Sequence, residues 1–429
     1  MRKWSFIALL VLFGSHAYGQ QESTRAEQLR RQRLEKKSEA EPEEAPLLER
    51  AFLLVEETGF ANLFALGYKK LYPQIGSIAP RSGLAFGARF SDSDLSQGRL
   101  TLQSSAAVSL QGYQLFDFQF GKMPSGGRPA FLSPIAPDNL SADPFNPERH
   151  ESSRSFLYGD VTFRKQTRVD FFGFENESQL GNRSNFQIRD ASIDFVAAAH
   201  VRNFFGLALR GGYLDVALSD GRNRALPSTR ALPEAAAIPG LFEEQDFLHL
   251  TGAAWLDYRD HKTHPHLGGV VFASLTRFSD RDGGRFDFNR FSFDTRQFVP
   301  LWSTQRILAF RFLTVLDTAD SGAAVPFFLQ ETLGGSQTLR GFRNFRFRDR
   351  NLIYLSAEYR WEPAAAVELA LFYDAGKVFF DRSDFEFKHL QKSIGAGIRF
   401  KTPDVTFLRL DVGRSREGTL LHFTFGASF

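Results

Sequence analysis

The chain ends in Leu420-Leu421-His422-Phe423-Thr424-Phe425-Gly426-Ala427-Ser428-Phe429. Leu421, Phe423, Phe425, Ala427 and Phe429 share one face of an extended strand, and His422, Thr424, Gly426 and Ser428 share the other, because successive side chains of a strand point to opposite sides. The same alternation recurs upstream, as in Phe286-Asp287-Phe288-Asn289-Arg290-Phe291-Ser292-Phe293. The chain holds 47 Phe among 429 residues, and this period-two placement predicts strands. A soluble sheet of this length buries its apolar face against a second sheet, whereas lipid covers it directly. A mean hydropathy of −0.26 agrees with the second case, since a barrel spreads its apolar residues over many short alternating segments.

Working outward, the N-terminus predicts export. Arg2 and Lys3, an apolar run from Phe6 to Phe13 and the small-residue site Ala17-Tyr18-Gly19 read as a signal peptide over residues 1–19. That run is too short to span a bilayer, and no stretch of about 18 apolar residues follows. Cysteine is absent, which excludes disulfides, thiolate metal sites, a catalytic cysteine and a lipoprotein anchor. The net charge of +3 falls to +1 once Arg2 and Lys3 leave with the signal, too near neutral to argue for nucleic acid.

Residues 20–46 are rich in Glu, Arg, Lys and Gln and predict a charged periplasmic helix and linker. Residues 47–80 turn apolar, from Leu47 to Val55 and again from Phe60 to Tyr68, and suit an amphipathic helical segment on the membrane surface or against the barrel. From residue 81 to 429 sixteen alternating segments can be laid out. The first is at 83–92, 155–166 and 168–177 count as separate strands, and the last is at 420–429. The fold class is therefore all-β membrane, a 16-stranded antiparallel transmembrane β-barrel preceded by a short N-terminal helical segment. With the N-terminus periplasmic, the long connections at 125–154, 219–245 and 319–350 all follow odd-numbered strands and are expected outside.

Two motifs go beyond a generic barrel. Gly334-Gly335-Ser336-Gln337-Thr338-Leu339-Arg340-Gly341-Phe342 lies before the twelfth predicted strand, and Phe372-Tyr373-Asp374-Ala375-Gly376 lies in the thirteenth. With the terminal Phe they resemble the outer-membrane-protein-85 superfamily, the bacterial surface antigens that include the barrel-assembly insertase and the two-partner-secretion transporters. The resemblance implies that loop 319–350 folds into the lumen. Its tetrad is Leu339, Arg340, Gly341 and Phe342, with Leu339 where relatives carry Val. It also implies that Arg340 pairs with Asp374 of the Phe372-x-Asp374-x-Gly376 motif, that Glu358 helps hold Arg340, and that Phe423, Phe425 and Phe429 form the signal read by the assembly machinery. Relatives usually precede the barrel with polypeptide-transport-associated domains. Residues 20–80 are too few for one, so a variant without them is expected.

Strand periodicity supports the pairing independently. In strand thirteen Val367, Leu369, Leu371, Tyr373 and Ala375 point one way, so Phe372, Asp374 and Gly376 point the other. In strand twelve Ile353, Leu355, Ala357, Tyr359 and Trp361 face lipid, which puts Glu358 and Arg360 in the lumen. A planar guanidinium can bridge two carboxylates. Gly341 would allow a tight backbone and Phe342 would pack beside Phe372. Otherwise Arg340 is a solvated arginine in a loop that also holds Arg343, Arg346, Arg348 and Arg350.

Hydrolase, phosphate-loop and zinc-protease signatures are absent, so no enzyme, catalytic residue or cofactor is expected. His261-Lys262-Thr263-His264-Pro265-His266 reads as a polar turn rather than a metal site. The expected function is insertion or transport of protein or lipid through a lateral seam, whose first strand, Gly83 to Phe90, is weakened by Gly83 and Gly87 as the last is by Gly426. The alternatives are a passive pore, or a surface antigen with its contacts on 125–154 and 219–245. The partners implied are outer-membrane lipid and lipopolysaccharide, the barrel-assembly machinery and unfolded barrel clients. A homodimer is left open and nucleic acid is excluded.

Overall fold

The computed structural model describes residues 70–123, 155–261, 264–364, 366–401 and 406–425. Their main feature is one antiparallel sheet of sixteen strands in chain order. It runs through β1 (Leu71–Gly76), β2 (Ala85–Asp94), β3 (Leu100–Ser109), β4 (Gln114–Lys122), β5 (Ser155–Phe171), β6 (Ser184–Arg202), β7 (Phe205–Asp220) and β8 (Gln245–Asp257). It continues through β9 (Gly268–Asp280), β10 (Phe288–Leu301), β11 (Ser303–Ala319), β14 (Asn351–Ala364), β15 (Val367–Phe379), β16 (Gln391–Lys401), β17 (Thr406–Ser415) and β18 (Gly418–Phe425). The short strands β12 (Glu331–Leu333) and β13 (Phe347–Asp349) form a separate hairpin between β11 and β14. Among the described residues no helix is long and apolar enough to cross a membrane.

The faces of this sheet are inverted relative to a water-soluble protein. Asp194, Asp374 and Asp411 are fully buried, while Phe195, Leu157, Phe423 and Ile394 are 68%, 64%, 62% and 61% exposed. A soluble fold hides its phenylalanines and hydrates its aspartates, so the outer face requires an apolar solvent. The sheet also curls, because elements eight strands apart in its order meet. Asn176, after β5, donates to the backbone O of His389, after β15, at 2.8 Å, and Gln391 Nε2 donates to Asn176 O at 3.0 Å. Among the described residues no pairing joins β1 to β18.

Sixteen strands are present, but two of the expected segments are drawn differently. The sheet begins at Leu71, inside the stretch read as helical, with a six-residue edge strand that includes Pro73. It shows no long alternation, and a proline lacking an N–H is accommodated at a sheet edge. Residues 155–166 and 168–177 are not two strands. Ser155–Phe171 is one strand with a register shift between Gln166 and Val169. The shifted residues are held from outside the strand, Thr167 Oγ1 donating to Gln111 O at 2.8 Å and Tyr113 Oη to Arg168 O at 3.0 Å. A bulge of this kind interrupts the alternation that marks a strand.

The missed strand and the false break cancel in the count but not in orientation. The segment at 83–92 is an interior strand, paired with β1 and β3, and the edge is β1. The connection holding 125–154 follows β4, so its ends Met123 and Ser155 lie with the short turns, opposite the connections after β7 and β11. The readings for residues 1–69 and for Phe429 fall outside the described residues. Phe423 lies on the exposed face, and Phe425 pairs in register with Leu408.

At the short-turn end, the β8–β9 turn reaches across to β14. His266 Nε2 lies 3.2 Å from Glu362 Oε1, which also takes Lys401 Nζ at 2.6 Å. The hydrogen bond to Glu362 raises the His266 pKa above its ordinary 6.5, with partial burial opposing. A raised imidazole stabilises the fold fully below its unfolded value, and that contribution disappears as pH rises through the folded value. His266→Ala is therefore expected to lower the melting temperature at about pH 6 and to converge on wild type by about pH 9, a difference worth at most about 1 kcal/mol at this half-exposed site. A pH-independent difference between the two melting curves would contradict the assignment.

Candidate functional site in the lumen loop

Residues 320–350 connect β11 to β14 and are anchored at two levels. At the outer level Val325, Phe327, Phe328, Leu329 and Phe345 are buried with Phe171, Phe186, Phe247 and Phe288 of the wall. Below them the β12–β13 hairpin pairs Glu331 with Asp349 and Leu333 with Phe347. Gly334 and Gly335 turn the chain at its tip with φ of 118° and 92°, a region that favours glycine. Leu339 is fully buried with Leu313, Leu333, Phe342, Phe347 and Tyr354.

This seat delivers Arg340 into the lumen. Its Nε donates to Asp374 Oδ2 at 2.9 Å, its Nη2 to Asp374 Oδ1 at 2.6 Å and its Nη1 to Glu358 Oε1 at 2.5 Å. The guanidinium lies 3.4 Å from the centroid of the Phe372 ring. Arg340 is 2% exposed, and an isolated charge so buried would cost far more than the fold can supply. Two carboxylates and an aromatic face offset that cost, since bidentate charge-assisted bonds are the strong ones. Asp374 also accepts from Ser356 Oγ at 2.9 Å, Tyr354 Oη at 3.2 Å and Ser393 Oγ at 3.2 Å. Glu358 Oε2 accepts from Arg360 Nε at 2.9 Å and Arg399 Nη2 at 2.8 Å, and Arg399 pairs onward with Glu368.

The loop tip touches the last strands as well. Ser415 Oγ on β17 donates to Gly341 O at 2.7 Å, Arg409 Nη2 on β17 donates to Ser336 O at 3.1 Å, and His422 Nε2 on β18 lies 2.8 Å from Arg340 O. Gly341 and Gly413 allow the approach. A Cβ on Gly413 would lie 2.4 Å from Arg340 O, and one on Gly341 2.7 Å from the Arg414 carbonyl carbon. A single tip thus contacts β14, β15, β16, β17 and β18.

Of the residues named from the sequence, Leu339, Arg340, Gly341, Glu358, Phe372 and Asp374 come together, and Gly376 lies beneath Leu333 of the hairpin. One expected contact differs. Phe342 packs edge-on against Phe347, with centroids 5.0 Å apart, because Phe372 is covered by the guanidinium. Two other loop arginines are buried rather than solvated. Arg346 Nε lies 2.8 Å from Glu417 Oε1, and its Nη2 donates to Ser178 O at 2.6 Å. Arg348 Nη1 donates to Phe327 O at 2.6 Å, and burial pushes its pKa down to about 10 despite the partial opposition of Glu331. Sequence reasoning also missed Tyr354, Ser356, Ser393, Arg399 and His422. Tyr354 and Ser356 are marked as lumen-facing only by their period-two relation to Glu358, and His422 only by its relation to Thr424.

Comparisons place this geometry among known proteins. In fold the chain is similar to BamA from Haemophilus ducreyi lacking POTRA domains 1–3, at 14% identity and a TM-score of 0.54 over 88% of this chain and 78% of that one. It is also similar to CdiB from Escherichia coli, at 12% identity and a TM-score of 0.52 over 84% of this chain and 62% of that one, less than two thirds of the latter's length. No curated protein sequence matches. The Omp85 superfamily domain matches residues 149–429, about two thirds of the chain and all of the loop and its partners, and no polypeptide-transport-associated domain matches. That domain match spans more than half of the chain, and the chain belongs to the Omp85 superfamily.

Proposed function

We propose that this chain is an outer-membrane barrel that inserts or moves protein or lipid at a lateral seam between β1 and β18, with loop 320–350 as the element that fixes the strands on one side of that seam. The end carrying most of the short turns is periplasmic on this reading, because outer-membrane barrels place most of their longer loops outside, and the connection after β4 is the long one that lies at that end. The observation that carries the proposal is the reach of the loop tip, which is bonded to β14, β15, β17 and the terminal β18 and is tied to β16 through Asp374, the carboxylate that accepts from Ser393. A loop so placed biases whether the last strands hold their register. The edge facing them is weak, since β1 spans six residues and contains Pro73. The outer face, largely apolar, presents the seam to lipid, and the C-terminal segment would be the one read by assembly machinery during biogenesis. A lumen occupied by the buried loop weighs against a passive open pore.

The test is the folding rate of a small unfolded barrel added to liposomes that contain this protein, read by heat-modifiable gel mobility. Wild type should accelerate insertion and Arg340→Ala should lose at least about tenfold of that acceleration, the equivalent of about 1.4 kcal/mol. No acceleration by wild type would overturn insertion of protein as the activity. Equal acceleration by wild type and variant would remove the loop from the mechanism.

A further inference from the structure

We propose that the outer wall over β10, β11, β14 and β15 holds one glycerophospholipid of the leaflet at the short-turn end, its phosphate on Arg306 and an acyl chain in a notch above Ala357. This rests on the reading of the exposed face as lipid-facing, and it is independent of any insertase activity. The notch measures about 250 Å³ and is walled by Phe310, Phe312, Leu355 and Tyr373, with Thr295 and Gln297 on its β10 side. Phe310 and Tyr373 are 45% and 44% exposed, whereas their chain neighbours Ala309 and Phe372 are buried, so the notch opens outward. Register explains its existence. Phe310 pairs with Ala357 and Ala357 with Tyr373, which sets one methyl group between two large rings on the same rung.

Arg306 stands on the same outer face two alternate positions nearer the short turns, paired with Trp361. Four residues of strand separate it from Phe310, about 13 Å at the usual rise. Its Nη1 donates to Tyr359 Oη at 3.2 Å, and its guanidinium lies 5.4 Å from the Trp361 ring. Among the described residues it has no carboxylate partner, unlike the lumen arginines Arg340, Arg360 and Arg399. An outward cation framed by Tyr and Trp is built for an interfacial anion, and phosphate accepts charge-assisted bonds from a guanidinium. Trp302, 81% exposed in the β10–β11 turn, extends the aromatic belt below it. The separation of Arg306 from the notch matches a headgroup at the interface with its chain running up the wall, which favours a lipid over a soluble anion.

Native mass spectrometry of the protein released from nanodiscs of phosphatidylethanolamine and phosphatidylglycerol tests the site. Wild type should retain one phospholipid, and Arg306→Ala and Ala357→Leu, which fills the notch with a residue suited to the lipid face, should each reduce retention about tenfold. Heat-modifiable mobility confirms that each variant is folded, and Ala357→Val serves if either is not. Unchanged retention in the folded variants overturns the site. Displacement of the lipid from wild type by inorganic phosphate would show a soluble-anion site and overturn it as well. Insertion assays on the same variants should match wild type, so failure here and failure of the insertase reading are separable.

Discussion

Arg340→Ala should destabilise the barrel by about 3–5 kcal/mol, because it leaves Asp374 and Glu358 charged and buried without the cation between them. Urea titration of the folded fraction in liposomes measures the cost, and limited proteolysis of loop 320–350 reports whether the loop leaves its seat. Arg340→Lys should recover less than half of the loss. An ammonium is a point charge, and it cannot hold both Asp374 oxygens and Glu358 in one plane while lying 3.4 Å from the Phe372 centroid. The paired change Arg340→Ala with Asp374→Asn should cost less than the sum of the two single changes, since removing both charges leaves one fewer unpaired ion. A loss under about 1 kcal/mol for Arg340→Ala would mean that the buried aromatic cap alone holds the loop, and the charge network would lose its structural role.

The parts of this fold that were legible in sequence are those whose physics is local. Alternation along β14 and β15 put Glu358, Phe372 and Asp374 on one face because the strand period leaves no other arrangement. The illegible parts depend on partners far away in the chain. Gln111 and Tyr113 hold the bulge in β5, and nothing near Thr167 or Arg168 announces them. Likewise β1 is a strand because β2 is beside it, not because Leu71-Tyr72-Pro73-Gln74-Ile75-Gly76 alternates. The site was read through its charges and the glycines of its two motifs, while Tyr354, Ser356, Ser393 and Gly413, which seat them, belong to no motif. Phe342 went to Phe347 because the arginine and the phenylalanine competed for one ring, a contest that only geometry decides.

Gly413→Ala should unseat the loop without touching a charge. Its new Cβ would lie 2.4 Å from Arg340 O and 2.8 Å from Gly341 N, both backbone atoms that cannot rotate away as a side chain could. Gly413 lies outside the left-handed region, so the penalty is contact rather than backbone strain. Overpacking of this kind costs about 1–3 kcal/mol. The loop is the part that yields, because β17 is paired on both sides while the tip is held by side chains. The expected result is a folded barrel whose loop has become protease-sensitive and whose His422 has lost the Arg340 carbonyl. Because Gly413→Ala and Arg340→Ala release the same element, their combined cost should fall short of their sum by at least about 0.5 kcal/mol. Strict additivity would show that the glycine seat and the arginine act on separate events. A protected loop in Gly413→Ala would show that β17 gives way instead, and the contact between loop tip and terminal strands could then not be what fixes their register.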